Sequence, residues 1–152
     1  MKQIDELLYD AICADADLIQ YIGGEQQVQS TCFEVSPDEQ DNTPIPYLIV
    51  TFDGFQLSQG TKDAVWESDE DSVSASVEIA AESPREVHKL TRMVRRAIEN
   101  HMCHLYTEGK RIPQLNSLRS DGIAWDWLKP CYYTHLTYQV TTNNDDDDEQ
   151  TS

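Results

Sequence analysis

The chain has 152 residues, and its 28 Asp and Glu against 11 Lys and Arg give a formal charge of −17 at pH 7. Such a balance argues against general nucleic-acid binding, because clustered cations are needed to displace phosphate counterions and a net anion repels the duplex before contact. Only a local basic patch escapes that argument. The length suits one domain, at which folding buries roughly 68 to 70% of the surface of the extended chain.

The last ten residues carry five acids and no base, so the body without them still stands at −12. No run of 18 apolar residues is present, and the opening Met-Lys-Gln-Ile-Asp-Glu has acids where a signal sequence needs cations and an apolar core. The expectation is a soluble, untargeted chain with no membrane partner. Cys13, Cys32, Cys103 and Cys131 are dispersed with no C-x-x-C pair, which fits reduced thiols in a cytosol-like compartment rather than a disulfide scaffold.

Taken in chain order, Ile4, Leu7, Leu8, Ile12, Leu18, Ile19 and Ile22 recur near helical spacing, with Asp15 and Asp17 offering a cap or a break and Gly23-Gly24 a stop. One helix or two short ones are expected over 3–22. Thr31 to Val35 reads as a strand before the Ser36-Pro37-Asp38 turn, followed by a polar loop. Pro44-Ile-Pro46 then leads into Tyr47 to Asp53, a β-branched and aromatic run whose Leu48, Val50 and Phe52 should face the core. Residues 57–70 are polar and irregular. From Ser72 to Ile79 the residues Val73, Ala75, Val77 and Ile79 alternate with Ser72, Ser74, Ser76 and Glu78, which predicts a strand with one wet face.

Ser83-Pro84-Arg85-Glu86 combines an N-cap serine, a proline at the first helical position and a glutamate placed to complete a capping box. The helix that follows carries the stripe Val87, Leu90, Val94, Ala97, Ile98, Met102 and Leu105. Full burial of each larger member contributes about 1.5 to 3 kcal/mol before entropy is counted. Glu108-Gly109-Lys110 ends it, and Ile112-Pro113 forces an extended exit. Two closing strands are expected: one within Leu118 to Trp127, around a Ser-Asp-Gly turn at 120–122, and one over Cys131 to Thr142. Residues 143–152 are acidic low-complexity sequence with almost nothing to bury. Strands and helices come in blocks, so the fold class is α+β: a mixed or mainly antiparallel sheet of about five strands, with an N-terminal helix and one long helix on one face. The domain spans 1–142, and 143–152 form a disordered acidic tail.

His101, Cys103 and His104 put three potential metal ligands within four residues, and Cys131 and His135 are placed to join them only through the fold. Cys103 is turned about 100° per residue away from His104, and no second cluster completes a tetrahedral set. Asp69-Glu70-Asp71 and Asp145 to Glu149 lack the glycine-punctuated alternation of a calcium loop and read as solvated charge. No G-x-S-x-G, phosphate-cradling loop or spaced His and carboxylate pair names a catalytic base. The reading is of a non-enzyme with no cofactor and no metal.

The strongest pattern is electrostatic. Arg85, Lys89, Arg92, Arg95, Arg96, Lys110 and Arg111 put seven of the eleven bases into 27 residues that hold three acids, so this span is +4 and the remainder −21. The bases of the helix lie mostly away from its apolar stripe, giving a cationic outer strip on an anionic body. A strip of this kind is either a solvated helix face or a contact surface. As a contact it pairs with negative surface elsewhere on a second copy, head to tail, and such contacts close into rings when the rotation permits. Arg92, Arg95 and Arg96 are the candidate partner-binding residues.

Several local strings resemble the small tail-terminator or tail-completion proteins of long-tailed bacteriophages. The resemblance rests on the first helix ending in Tyr21-Ile-Gly23, the Ile45-Pro46-Tyr47-Leu-Ile-Val-Thr strand entry, the alternating strand before Ser83, the long helix, and the closing strand Tyr132 to Val140. The loop at 57–70, Trp125, Trp127 and the acidic tail lie outside it. The resemblance implies a non-enzymatic virion protein, assembled in the host cytoplasm, whose copies form a ring, commonly a hexamer, that terminates the tail tube and joins it to the head connector. DNA would pass through such a ring without specific binding, because a carboxylate-lined lumen repels phosphate. The alternative is an acidic DNA mimic or host-factor-binding protein, in which carboxylates occupy the basic groove of a DNA-binding partner.

Overall fold

The computed structural model describes residues 4–30, 44–56, 70–110, 115–127 and 130–143. The strand expected over Thr31 to Val35, the polar stretch 57–69, the Ile112-Pro113 exit and residues 144–152 of the acidic tail lie outside this range. The N-terminal helical pattern resolves into two helices, α1 (Ile4–Cys13) and α2 (Ala16–Ile22). Asp15 makes the break: its backbone is extended and its Oδ1 accepts from Leu18 N at 3.1 Å, capping α2. Gly23 ends α2 in the left-handed region at φ 104°, where its N–H and that of Gly24 both donate to Ile19 O.

A 3-10 turn, Glu25–Gln27, then delivers strand β1 (Val28–Ser30). The described part of this strand thus starts ahead of the sequence expectation, and a buried side chain places it. Gln27 donates through Nε2 to Pro44 O and to Pro46 O at 2.8 Å, tying the start of β1 to the entry of β2 (Tyr47–Gln56). The Ile45-Pro46 peptide at that entry is cis. Strand β3 (Glu70–Ala81) pairs antiparallel with β2, across a register shift between Phe52 and Gly54. Helix α3 (Pro84–Thr107) then returns along the sheet; Ser83 Oγ accepts from Glu86 N at 3.2 Å, the first half of the capping box. The chain closes with β4 (Leu115–Ser120), β5 (Ala124–Asp126) and β6 (Cys131–Asn143).

The fold is α+β, with sheet order β1-β2-β3-β6-β4 and β5 also paired to β6. Among the described strands only the β1–β2 pair is parallel. Three closing strands replace the expected two. Both β4 and β5 lie on the same edge of β6, so they form one sheet position interrupted at Asp121 to Ile123. The interruption keeps its polar groups satisfied, because Asp121 N donates to His135 O at 3.0 Å and Thr134 Oγ1 donates to Asp121 O at 2.7 Å.

Helices α1 and α3 cover one face of the sheet. Their Leu8, Ile12, Val87, Leu90, Val94 and Ile98 pack in one cluster with Leu48, Val50, Val77, Ile79 and Leu136. Phe52 is partly buried against this cluster, in keeping with its inward register. The helical stripe fades earlier than its periodicity predicts: Met102 and Leu105 are only half-buried, and no residue of His101–Thr107 is fully buried. The opposite sheet face is less wet than alternation predicts. Ser76 is buried and donates to Asp53 Oδ1 at 3.2 Å, and a second small cluster joins Tyr47, Ala80 and Cys131. No helix among the described residues is long and apolar enough to cross a membrane.

Candidate functional site

Helix α3 divides its surface by turn geometry. Val87, Leu90, Val94, Ala97 and Ile98 are buried, while Arg85, Arg92, Arg95 and Arg96 are exposed. At 100° per residue, Arg85, Arg92 and Arg96 point directly away from the buried stripe and form a ridge. Arg95 is rotated toward β6, where its charge acts on the Tyr138 hydroxyl. Burial dominates there and pushes that hydroxyl up to about 12, with Arg95 opposing the rise. Lys89 is rotated the other way and sits 4.6 Å from the centre of the Tyr21 ring, so it braces α3 against α2.

Among the described residues no salt bridge engages Arg85, Arg92, Arg95 or Arg96, although Glu99 stands at i+4 from Arg95 and i+3 from Arg96. The ridge therefore keeps its positive charge uncompensated by close ion pairs. Beside it, residues 4–30 hold six acids and no Lys, Arg or His, so two helical units of opposite sign share one layer of the fold.

The residues read as a possible metal set do not converge. Cys103 is exposed on the arginine side of α3, and His104 Nε2 is 2.9 Å from Glu108 Oε1. His101 is turned toward α1, where with His104 it lines a groove between the α1–α2 corner and α3. Among the described residues no three His, Cys, Asp or Glu side chains gather as a metal-binding set. The groove has a volume of about 520 Å³; besides the two histidines it is lined by Ala11, Ala14, Ala16 and Ala97 and by the polar Asp15, Asp17 and Asn100.

Two further arrangements escape sequence reasoning. On the helix-free face, Glu78 and His135 are register partners, with His135 Nε2 3.1 Å from Glu78 Oε1 and Nδ1 3.7 Å from Asp121 Oδ2. The hydrogen bond to Glu78 chiefly raises the imidazole pKa; burial lowers it, and the nearby charges of Glu78, Asp121 and Asp53 raise it further. With both ring nitrogens turned to carboxylates, the surroundings of this imidazole favour its protonated form. Cys131, the other residue considered with it, is buried in the small cluster on the same face. The only signal in the sequence is that Glu78 and His135 both occupy outward positions of alternating strands, and register is not written there.

The second arrangement is aromatic. Trp125 makes edge contacts with Trp127 at 5.9 Å and Tyr132 at 4.7 Å between ring centres. Trp127 is 85% exposed, and Trp125 Nε1 is buried with no hydrogen-bond partner among the described residues. No protein-family model and no curated protein sequence matches the chain.

Proposed function

We propose that this chain is a non-enzymatic phage or prophage structural protein whose copies form a ring at the head–tail junction, ending the tail tube and meeting the head connector. The observation that carries the reading is the arginine ridge of α3, mounted on a rigid, well-capped helix and free of salt bridges among the described residues, beside an acidic α1–α2 unit. Long-range attraction between ridge and acid on successive copies speeds and orients encounter. The −21 outside the cationic span disfavours adhesion of passing DNA. The DNA-mimic alternative gains no support from the helix-free face, where Glu78 and Asp53 are engaged by His135 and Ser76 instead of standing as a row of free carboxylates.

Charge reversal tests the reading. The variant Arg92→Glu/Arg95→Glu/Arg96→Glu is expected to keep the far-UV circular dichroism of the wild type and to lose ring formation and attachment to purified tail tubes. Unchanged assembly of the triple variant removes these residues from the account. A wild-type chain that stays monomeric over a wide concentration and salt range, with no binding to tail tubes, overturns the ring itself.

A further inference from the structure

The five consecutive acids Asp145 to Glu149 give the segment 144–152 a charge of −5, and it is joined to residues 1–143, which sum to −12. Like charge keeps such a segment away from most of the molecule. Seven of the eleven bases lie in 85–111, while the other four, Lys2, Lys62, Arg119 and Lys129, are scattered singly along the sequence. Helix α3 therefore carries the concentration of opposite charge.

The topology delivers the segment to that helix. Ala81, three residues before α3 begins, is the register partner of Tyr132, so β6 starts beside the N-terminal end of α3 and runs in the same direction. Farther along, Tyr138 packs in the cluster it shares with α3, and the charge of Arg95 acts on its hydroxyl. Strand β6 ends at Asn143, five residues or roughly 17 Å past Tyr138.

Asp145 to Glu149 follow Asn143 by two to six residues, which gives them a reach of roughly 7 to 20 Å. Turned back along α3, Asp148 and Glu149 come level with Arg95 and Arg96, whereas Arg92 lies a turn farther on. Both arginines are exposed and neither is engaged by a salt bridge among the described residues. Lys110, nearer the end of the helix, is already 3.1 Å from Glu108. Glu99, exposed one turn beyond the arginines, opposes the approach with one charge against two.

We infer that the acidic segment 144–152 lies on α3 of its own chain, its carboxylates against Arg95 and Arg96, and is displaced when the ridge meets a partner. The docking itself holds whether or not copies assemble; only its role as a brake on assembly rests on the proposed function. Exposed ion pairs are individually weak and screened by salt, so the cover yields to a larger partner surface. Until it yields, the apparent affinity of the ridge is lowered by the fraction of copies in which it is bare.

NMR of the full chain, at concentrations where sedimentation shows monomer, tests the contact. At low salt the side-chain Nε–H signals of Arg95 and Arg96 are expected to shift when Asp145 to Asp148 are changed to Asn and Glu149 to Gln, and that of Arg92 to shift less. The amide signals of 145–149 are expected to move in the same direction with Arg95→Gln/Arg96→Gln and with added salt in the wild type. Amides of 145–149 that are blind to both, or shifts that appear only as concentration rises and so place the segment on another copy, overturn the inference.

In sedimentation velocity the chain with the neutralised segment is expected to self-associate about 3-fold more tightly or better than the wild type. Equal or weaker association overturns the brake. Rings that cap tail tubes in a chain whose segment ignores Arg95 and Arg96 overturn the inference and leave the proposed function standing. A segment seen on those arginines in a chain that never assembles, with or without its acids, does the reverse.

Discussion

Glu78 on β3 and His135 on β6 face each other across the central strands, carboxylate Oε1 to imidazole Nε2 at 3.1 Å, with Asp121 approaching the other ring nitrogen at 3.7 Å. The pair ties the middle of the sheet to the turn between β4 and β5. It also sets a pH dependence.

Because the folded imidazole pKa lies above its ordinary 6.5, the stabilisation it gives is complete below 6.5 and is lost as pH rises through the folded value. Chemical denaturation on both sides of that range is expected to show lower stability on the alkaline side. Replacing the side chain in His135→Gln is expected to flatten this part of the profile. A proton NMR titration of the ring, giving a midpoint at or below the ordinary imidazole value, would contradict the assignment.

Leu90 is fully buried and Leu105 only half-buried on the same helix. Leu90→Ala is expected to cost about 2 to 5 kcal/mol, because the transfer and cavity contributions add. Leu105→Ala is expected to cost less than about 1.5 kcal/mol, since only part of its surface leaves water on folding. Urea unfolding midpoints separate the two, and equal losses would contradict the early fading of the α3 stripe.

Helix ends supply a second stability test. Ser83→Ala removes the acceptor for Glu86 N and is expected to cost about 1 kcal/mol. Gly23→Ala meets no close atom, the nearest being Gln27 Cγ at 3.9 Å, yet must hold φ 104° with a Cβ. A loss of about 1 to 2 kcal/mol is expected from that backbone conformation alone. Thermal unfolding checks both; a neutral Gly23→Ala would show that the turn relaxes.

Thiol chemistry reports on the arginine ridge. Cys103 is exposed and lies seven residues beyond Arg96 on the same side of α3, whereas burial raises the Cys13 thiol pKa and Cys131 is 1% exposed. A maleimide is therefore expected to label Cys103 before Cys13 and Cys131, with mass spectrometry of peptides identifying the site. Assembly through the ridge should then slow labelling at Cys103 and leave the order of the other two unchanged.

What is legible in the sequence follows local rules. The cap at Ser83, the Gly23 stop, the alternation over Ser72 to Ile79 and the stripe from Val87 to Ile98 each need only neighbouring residues, and each reappears in the structure. The early position of β1 depends on Gln27 reaching residues 17 and 19 positions away in the chain, and the division between β4 and β5 depends on Thr134 and His135. No window of sequence contains both partners. The same holds for the surfaces. The arginine ridge is visible because one helix carries it, while Glu78 meets His135 over 57 residues and the groove beside α3 draws its lining from α1, α2 and α3.

The divided outer strand has a consequence for solubility. An unbroken strand beyond β6 would offer a foreign chain a long row of free amides and carbonyls, the template on which amyloid-like stacking grows. Here that margin is cut into a six-residue and a three-residue piece, with a register shift between Ser117 and Arg119 in the longer one. An incoming strand loses its alignment within a few residues. The division thus discourages strand-by-strand growth along this edge.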